Sequence, residues 1–194
     1  MDGELVRDSL LAASGLLSKK IGGPSVYPPQ PGSVTALAYG NTQWNVSKGA
    51  DRHRRSLYTF SKRTAPFAAY TVFDGPTGEN CVARRNRSNT PLQALTLLND
   101  AMFPEMAKAL ATEALKQKAG ARVEFVFQRC LTRKPTPEEI ADIQAYAGLQ
   151  RRRFSSGEMN ADQFLGVKNA SHELAAWTLV ARAVFNFDEM ITKE

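Results

Sequence analysis

The sequence predicts a mainly α-helical protein, a single-domain helical bundle preceded by a long irregular, Pro-rich N-terminal half. Two helix-start signatures of the same kind, at residues 90–93 and 136–139, indicate this class, together with apolar residues at helical spacing in the C-terminal half. A chain of 194 residues is long enough for one core. We expect one domain over residues 1–194, with a helix and an irregular basic region in residues 1–90 and the bundle in residues 91–194.

Each signature is a capping box. Thr90 and Thr136 are expected to cap the first backbone N–H groups of their helices, and Gln93 and Glu139 to reach back to the cap residues. A proline follows each threonine, at the first helical position, where a missing N–H costs nothing. These four residues are therefore predicted to be structural.

The bundle helices follow from their apolar spacing. The first, with residues 92–98 apolar on nearly every side, is expected to be buried centrally. Cys130 lies on the apolar face of a later helix, which predicts a buried thiol. The further helices are predicted at residues 101–117, 121–131, 137 to about 151, and 171–187.

The last predicted helix carries a narrow polar stripe of Thr178, Arg182 and Asn186, spaced by four. Burying a lone arginine on an apolar helix would cost several kcal/mol, so a carboxylate or several carbonyl groups should face Arg182. Asp100 is the first candidate for this structural partner.

The N-terminal half is less regular. An amphipathic helix is expected over residues 4–20, stopped by the glycines and proline at 22–24, and an extended segment follows to residue 31. Residues 52–62 fit either a short strand, with room for a hairpin, or a short helix. This pattern leaves both alternatives open.

The net charge of +6 arises from one region. Residues 48–87 hold nine basic and three acidic side chains, while the second half of the chain is neutral. Such asymmetry indicates an anionic partner or internal carboxylates. The candidate residues for binding a polyanion or a partner are Arg52, Arg54, Arg55, Lys62, Arg63, Arg84, Arg85 and Arg87.

Aromatic residues lie between several of these basic residues, a composition that neutralises phosphate and offers stacking surfaces. The same residues also fit a solvated face, or arginines that pair acids of a neighbouring domain. We favour the structural interpretation, since basic runs without a recognised nucleic-acid fold are often false positives.

Metal, haem and membrane functions have no sequence signature. The two histidines, His53 and His172, are far apart, CxxC, HExxH and CxxCH are absent, and both histidines are expected to face solvent. No stretch is long and apolar enough for a transmembrane helix, and the first residues do not resemble a signal peptide. No cofactor and no catalytic residue is predicted.

Cys81 lies in a loop just before two arginines, a setting that could lower the pKa of a thiol. Catalysis would also need a base and an orienting group, which the sequence does not place. A disulfide between Cys81 and Cys130 would require an oxidising compartment. The sequence leaves this pairing open.

Several segments together resemble one family, the planctomycete-specific C-terminal domain of unknown function that accompanies planctomycete cytochrome c-type domains. The similarity spans nearly the whole chain. The matching segments are RDSLLAASGLL (7–17), GGPSVYPPQP (22–31), DRHRRSLYTFSKRTAP (51–66), CVARRNRSNTPLQALTLLND (81–100), LTRKPTPEE (131–139) and ELAAWTLVARAVFNFDEMI (173–191).

The resemblance implies an extracytoplasmic, periplasmic, mostly helical module of a multidomain protein, often beside a haem-binding domain. It implies no catalytic residues. The chain resembles the C-terminal portion of that domain, and residues 73–76 differ from the Asp-Ala-Pro associated with the family.

Three functional hypotheses follow. The preferred one is a non-catalytic docking module that binds a neighbouring domain or protein, such as a c-type cytochrome domain. The second is a polyanion-binding module for sulfated polysaccharide or nucleic acid. The third is an enzyme with a reactive Cys81.

Overall fold

The computed structural model describes residues 1–32, 44–62, 65–78, 80–86 and 88–192. Within these residues the secondary structure is helical and no β-strand forms, so the mainly α prediction is confirmed. None of the described helices has the length and apolar character needed to cross a membrane. That residues 1–194 form a single domain stays a prediction.

Nine α-helices are described, and each begins and ends close to a capping or turn residue. In chain order they are α1 (Gly3–Ser14), α2 (Ala68–Val72), α3 (Pro91–Asn99), α4 (Met102–Leu115), α5 (Arg122–Leu131), α6 (Pro137–Ser155), α7 (Ala161–Leu165), α8 (His172–Phe185) and α9 (Asp188–Ile191).

The core is centred on α4 and α8, which pack along one another. α1 packs on α4, and α6 packs on α8. Leu110 and Val180 are fully buried in the main cluster, which also includes residues of α1 and α5. A smaller cluster forms around Phe154 and Leu165, where α6 and α7 meet α8. Burial of each large apolar side chain contributes about 1.5–3 kcal/mol.

Both capping boxes are present. The Thr90 hydroxyl accepts from the Gln93 backbone N–H and the Gln93 side chain accepts from the Thr90 N–H. The same reciprocal pair joins Thr136 and Glu139. The structural role predicted for these four residues agrees with the geometry.

Helix α3 is not the centrally buried helix that its composition predicts. Leu97 is fully buried, but Leu92 and Leu95 are 58% and 53% exposed. The polar Gln93 is buried instead, because its amide donates to the Val72 carbonyl and to the Ser88 hydroxyl. A helix of uniformly apolar residues has no periodic contrast, so its sequence does not specify which face is buried.

Helix α1 is shorter than predicted. Gly15 adopts a left-handed conformation with φ 80°, and its N–H donates to the last carbonyls of the helix. This glycine cap ends the helix at Ser14, before the glycines at 22 and 23. The predicted end at residue 20 is wrong, because the earlier glycine already satisfies the cap.

Residues 52–62 form neither a strand nor an α-helix. They contain parts of two short 3₁₀ turns, Gly49–His53 and Ser56–Tyr58. Val26 makes the ladder-like contacts there, since its N–H donates to Tyr58 and its carbonyl accepts from Phe60 at 2.7 and 2.8 Å. This segment is an irregular layer held against α1.

Arg7 of α1 holds that layer in place. Its side chain is 1% exposed, and Nη1 donates to the Arg54 carbonyl at 2.7 Å and to the Ser56 hydroxyl at 3.3 Å. Nη2 donates to the Arg52 carbonyl, and the carboxylate of Asp8 lies 3.7 Å from Nη1. Burial lowers the pKa of Arg7, an effect that the neighbouring Tyr70 and Asp8 side chains oppose.

Replacing Arg7 with methionine should destabilise the protein by about 3 kcal/mol, because buried carbonyls would lose their donors. Urea unfolding followed by circular dichroism measures this loss. Arg55→Met is the matched control, since the Arg55 side chain is 58% exposed and should cost little. A loss below about 1 kcal/mol for Arg7→Met would contradict the role assigned to Arg7.

Candidate functional site

The predicted basic residues are dispersed in the structure, and most of those described have partners within the chain. Arg52 forms a bidentate ion pair with Glu105 of α4, with Nε and Nη2 at 2.9 and 2.8 Å from Oε2. His53 Nε2 lies 2.8 Å from Oε1 of the same carboxylate. His53 is thus 19% exposed and not the solvent-facing residue expected from sequence, whereas His172 is exposed.

Arg54 is completely buried. Its Nη1 donates to the Pro24 carbonyl at 3.1 Å, its Nη2 donates to the Gly22 carbonyl, and its guanidinium lies 3.7 Å from the centre of the Tyr58 ring. Main-chain dipoles and an aromatic face therefore surround this cation. Arg54 orders the glycine-rich loop and has no surface to offer to a polyanion.

Arg85 and Arg55 both reach acidic residues of α1. Arg85 bonds Glu4 through two nitrogens at 2.8 and 3.2 Å, and these hydrogen bonds raise the pKa of Arg85. Arg55 Nε lies 3.7 Å from Asp8 Oδ2. Two of the predicted arginines therefore form ion pairs with acidic residues in the first half of α1.

The remaining candidates are less informative. Arg84 is exposed and Lys62 is half-buried. Arg63 and Arg87 lie outside the described residues. The described basic side chains thus form separate local contacts, and the structure does not bring them together as one continuous surface.

A cleft of about 600 Å³ lies where Arg55 and Arg85 meet α1. We call it the α1 cleft. It is bordered by the first half of α1, residues 55–61, α2 and the turn at residues 75–78. Two leucines on its border are exposed to solvent, Leu5 by 55% and Leu57 by 75%.

Tyr70 of α2 also lines the α1 cleft. Its hydroxyl lies 3.0 Å from Thr59 Oγ1 and 3.5 Å from the Ser56 carbonyl. Burial raises the pKa of Tyr70, against the charge of Arg7 and the hydrogen bonds from Ser56 and Thr59. The α1 cleft therefore combines a phenol with paired charges and exposed leucines.

Glycine is required at the turn that borders the cleft. A Cβ atom on Gly75 would lie 2.7 Å from the Tyr70 carbonyl oxygen, closer than such atoms approach. The Gly75 N–H donates to that same carbonyl. The sequence motif at 73–76, which departs from the expected family pattern, thus shapes this wall.

The cysteines are separate. Cys130 is buried as predicted, Cys81 is exposed, and both are free thiols. The described residues form no group of three or more His, Cys, Asp or Glu side chains that could hold a metal ion. Cys81 forms no hydrogen bond with any residue in the described part of the chain.

Asp100 is not the partner of Arg182. Its carboxylate accepts from the Met102 backbone N–H at 3.1 Å, at the start of α4. Arg182 Nη2 donates instead to the Leu98 carbonyl near the end of α3. Burial raises the pKa of Asp100, with the Met102 hydrogen bond opposing it. Asp100 therefore caps the first backbone N–H of α4 and forms no ion pair with Arg182.

Four residues with clear roles escaped sequence analysis: Arg7, Asp8, Tyr70 and Glu105. Arg7 lies on the buried, apolar face of α1 together with Leu10 and Leu11. A charged residue on that face indicates a buried arginine that needs partners. No local sequence pattern indicates the role of Glu105, because its partner Arg52 is 53 residues away.

The fold and the cleft define a helical domain of unknown function. A family model described as PSD1, protein of unknown function (DUF1553), matches residues 1–147, and the chain belongs to this family. The resemblance derived from the sequence is confirmed. Searches of the curated proteins and of the solved structures found no significant match.

Glu105 gives a pH-dependent prediction. Burial opposes its ionisation, but hydrogen bonds from Arg52 and His53 outweigh burial and lower the pKa of Glu105. A depressed folded-state pKa contributes stability above the unfolded-state value of 4.5, and this contribution is lost as pH falls through the folded value. Glu105→Gln should therefore cost about 1–2 kcal/mol at pH 7, after allowance for its partial exposure, and less below pH 4.

Urea unfolding at several pH values measures this dependence. Glu113→Gln is the control, because Glu113 is exposed on the same helix and pairs only with Lys116 three residues on. Equal losses for the two variants at pH 7, or a Glu105→Gln loss that does not shrink in acid, would disprove the assignment.

Proposed function

We propose that the domain is a non-catalytic docking module and that the α1 cleft binds a segment of a neighbouring domain or protein. The observation that carries this proposal is the pair of exposed leucines, Leu5 and Leu57, on the border of a concave surface. Exposed apolar side chains beside a polar rim are typical of protein interaction sites.

The charges around the cleft support a protein partner. Glu4 pairs with Arg85 and Asp8 with Arg55, so both signs lie within reach of a bound segment. The exposed parts of these pairs favour a partner segment with its own mixed charges, since complementary charges fix the register of a complex. The leucines supply the apolar contact.

The family resemblance supports the choice of partner and compartment. Domains of this kind resemble modules that accompany c-type cytochrome domains, and we propose such a domain, outside the cytoplasm, as the occupant. In this proposal the module carries no cofactor of its own and places the haem domain relative to the rest of the assembly.

Substitution of both leucines with aspartate should weaken binding of a separately produced, haem-loaded cytochrome c-type domain of the same family by at least about tenfold. Isothermal titration calorimetry measures the affinity. Leu149→Asp is the matched control, because Leu149 is 47% exposed on α6 and does not line the cleft.

Titration of the ¹⁵N-labelled domain should show shifts at residues bordering the α1 cleft. If the wild-type domain shows no binding at about 1 mM partner, the docking proposal fails. Equal weakening by Leu149→Asp would place the interface elsewhere.

Polyanion binding is the second proposal, supported by the exposure of Arg84 and Arg55. The pairing of Arg52 and Arg85 and the burial of Arg54 weigh against it. Thiol chemistry at exposed Cys81 is a third proposal with less support, since no hydrogen-bonded base accompanies it among the described residues.

We expect weak retention on heparin with a shallow salt dependence, a slope of log affinity against log salt near about −2, since few described arginines are exposed. Affinity chromatography at several salt concentrations measures the slope. Arg84→Gln should reduce retention, and the exposed Arg152→Gln on α6 serves as a control. A slope steeper than about −5 would make polyanion binding the better proposal.

A further inference from the structure

A second concave surface lies against the first half of α4. It is a pocket of about 420 Å³ between the end of α3, α4, α7 and α8, which we call the α7 pocket. Its apolar walls come from Leu98, Pro104, Phe164 and Leu165. Two cationic side chains, Lys108 and Arg182, also line it.

Arg182 has no acidic partner among the described residues. Its Nη2 donates to the Leu98 carbonyl, its buried Nε has no hydrogen-bond acceptor, and its guanidinium lies 5.7 Å from the centre of the Phe164 ring. Burial lowers the pKa of Arg182. The Nε itself is closed to the pocket, but the guanidinium borders the pocket and no carboxylate of the described residues balances its charge, so an anion there would offset the cost of its partial burial.

Lys108, like Arg182, donates to a backbone carbonyl and has no acidic partner among the described residues. Its Nζ donates to the Leu165 carbonyl at 3.0 Å, and no carboxylate of the described residues lies within ion-pair distance. Glu105 borders the same pocket, but its carboxylate is occupied by Arg52 and His53. The α7 pocket therefore holds two cations whose charges its own acid does not balance.

We infer that the α7 pocket binds a small organic carboxylate, with its carboxylate at Arg182 and Lys108 and its apolar body against Phe164 and Pro104. Arg182 and Lys108 line the same pocket, and their N–H groups can donate to the oxygens of one carboxylate. The pocket volume lies within the range of small-molecule sites.

The walls distinguish this ligand from other anions. Apart from Arg182 and Lys108, the exposed Asn99 also lines the pocket, but the wall formed by Leu98, Phe164 and Leu165 offers no side-chain donors and so favours an apolar body over the outer oxygens of phosphate or sulfate. A carboxylate with an aromatic or aliphatic body buries apolar surface there and places its charge at one end. The site is separate from the α1 cleft and does not depend on the docking proposal.

The test uses benzoate and hexanoate as probes, with benzamide as the neutral isostere of benzoate. Both carboxylates should raise the melting temperature in a concentration-dependent manner, because a ligand that binds only the folded state stabilises it. Benzamide should bind at least about tenfold more weakly than benzoate. Heteronuclear NMR should place the shifts at Phe164 and Leu165.

Two variants locate the charge. Arg182→Gln should weaken benzoate binding by at least about tenfold and Lys108→Gln by a smaller factor. The matched controls are Arg152→Gln and Lys116→Gln, whose exposed cations lie on α6 and just after α4. If Arg182→Gln does not fold, Lys108→Gln and the benzamide comparison carry the test.

Three results would overturn the inference. One is the absence of binding by both carboxylates at about 20 mM. Another is unchanged benzoate affinity in Arg182→Gln and Lys108→Gln. The third is equal binding of benzoate and inorganic phosphate, which would show that the apolar walls contribute nothing.

Discussion

The buried guanidinium of Arg7 is the interaction on which the N-terminal half of the fold depends. That half has no sheet among its described residues, so its carbonyls cannot be satisfied by a regular ladder. Arg7 donates to the carbonyls of residues 52 and 54, and Arg54 in turn donates to those of residues 22 and 24. The two arginines join two irregular segments, residues 52–54 and 22–24, to α1, and side-chain donors thereby replace strand pairing.

The same use of arginine continues in the bundle. Arg129 of α5 donates to the carbonyls of residues 12 and 13 at the end of α1, and Arg182 of α8 donates to the end of α3. A cation at a helix C-terminus satisfies free carbonyls and complements the helix dipole. The positive charge that dominates the front half of the sequence is thus distributed over many internal contacts and forms no continuous basic surface in the described residues.

The sequence predicts the features that depend on residues close together in the chain. Both capping boxes lie within four residues, and the amphipathic helices at 122–131 and 172–185 repeat their apolar residues at helical spacing. The features that the sequence does not predict depend on contacts between residues far apart in the chain. Arg85 and Glu4 are 81 residues apart, and the exposed face of α3 is determined by what packs on Leu97. The α1 cleft is built from four such segments, so no single stretch of sequence indicates it.

Arg7 and Arg182 are both partly or fully desolvated, but they differ in what their donors contact. Arg7 is the more deeply buried, yet all three of its nitrogens have acceptors, including the Met102 sulfur at 3.1 Å from Nε. Arg182 is less buried, borders open volume, and has one acceptor and an unused Nε donor. Since a buried donor gains most from a partner when it has none, burial alone does not identify a binding residue. Access to a cavity is the further requirement, and Arg182 meets it because its side chain lines the α7 pocket, whereas Arg54, whose Nε is also buried without an acceptor, is completely buried.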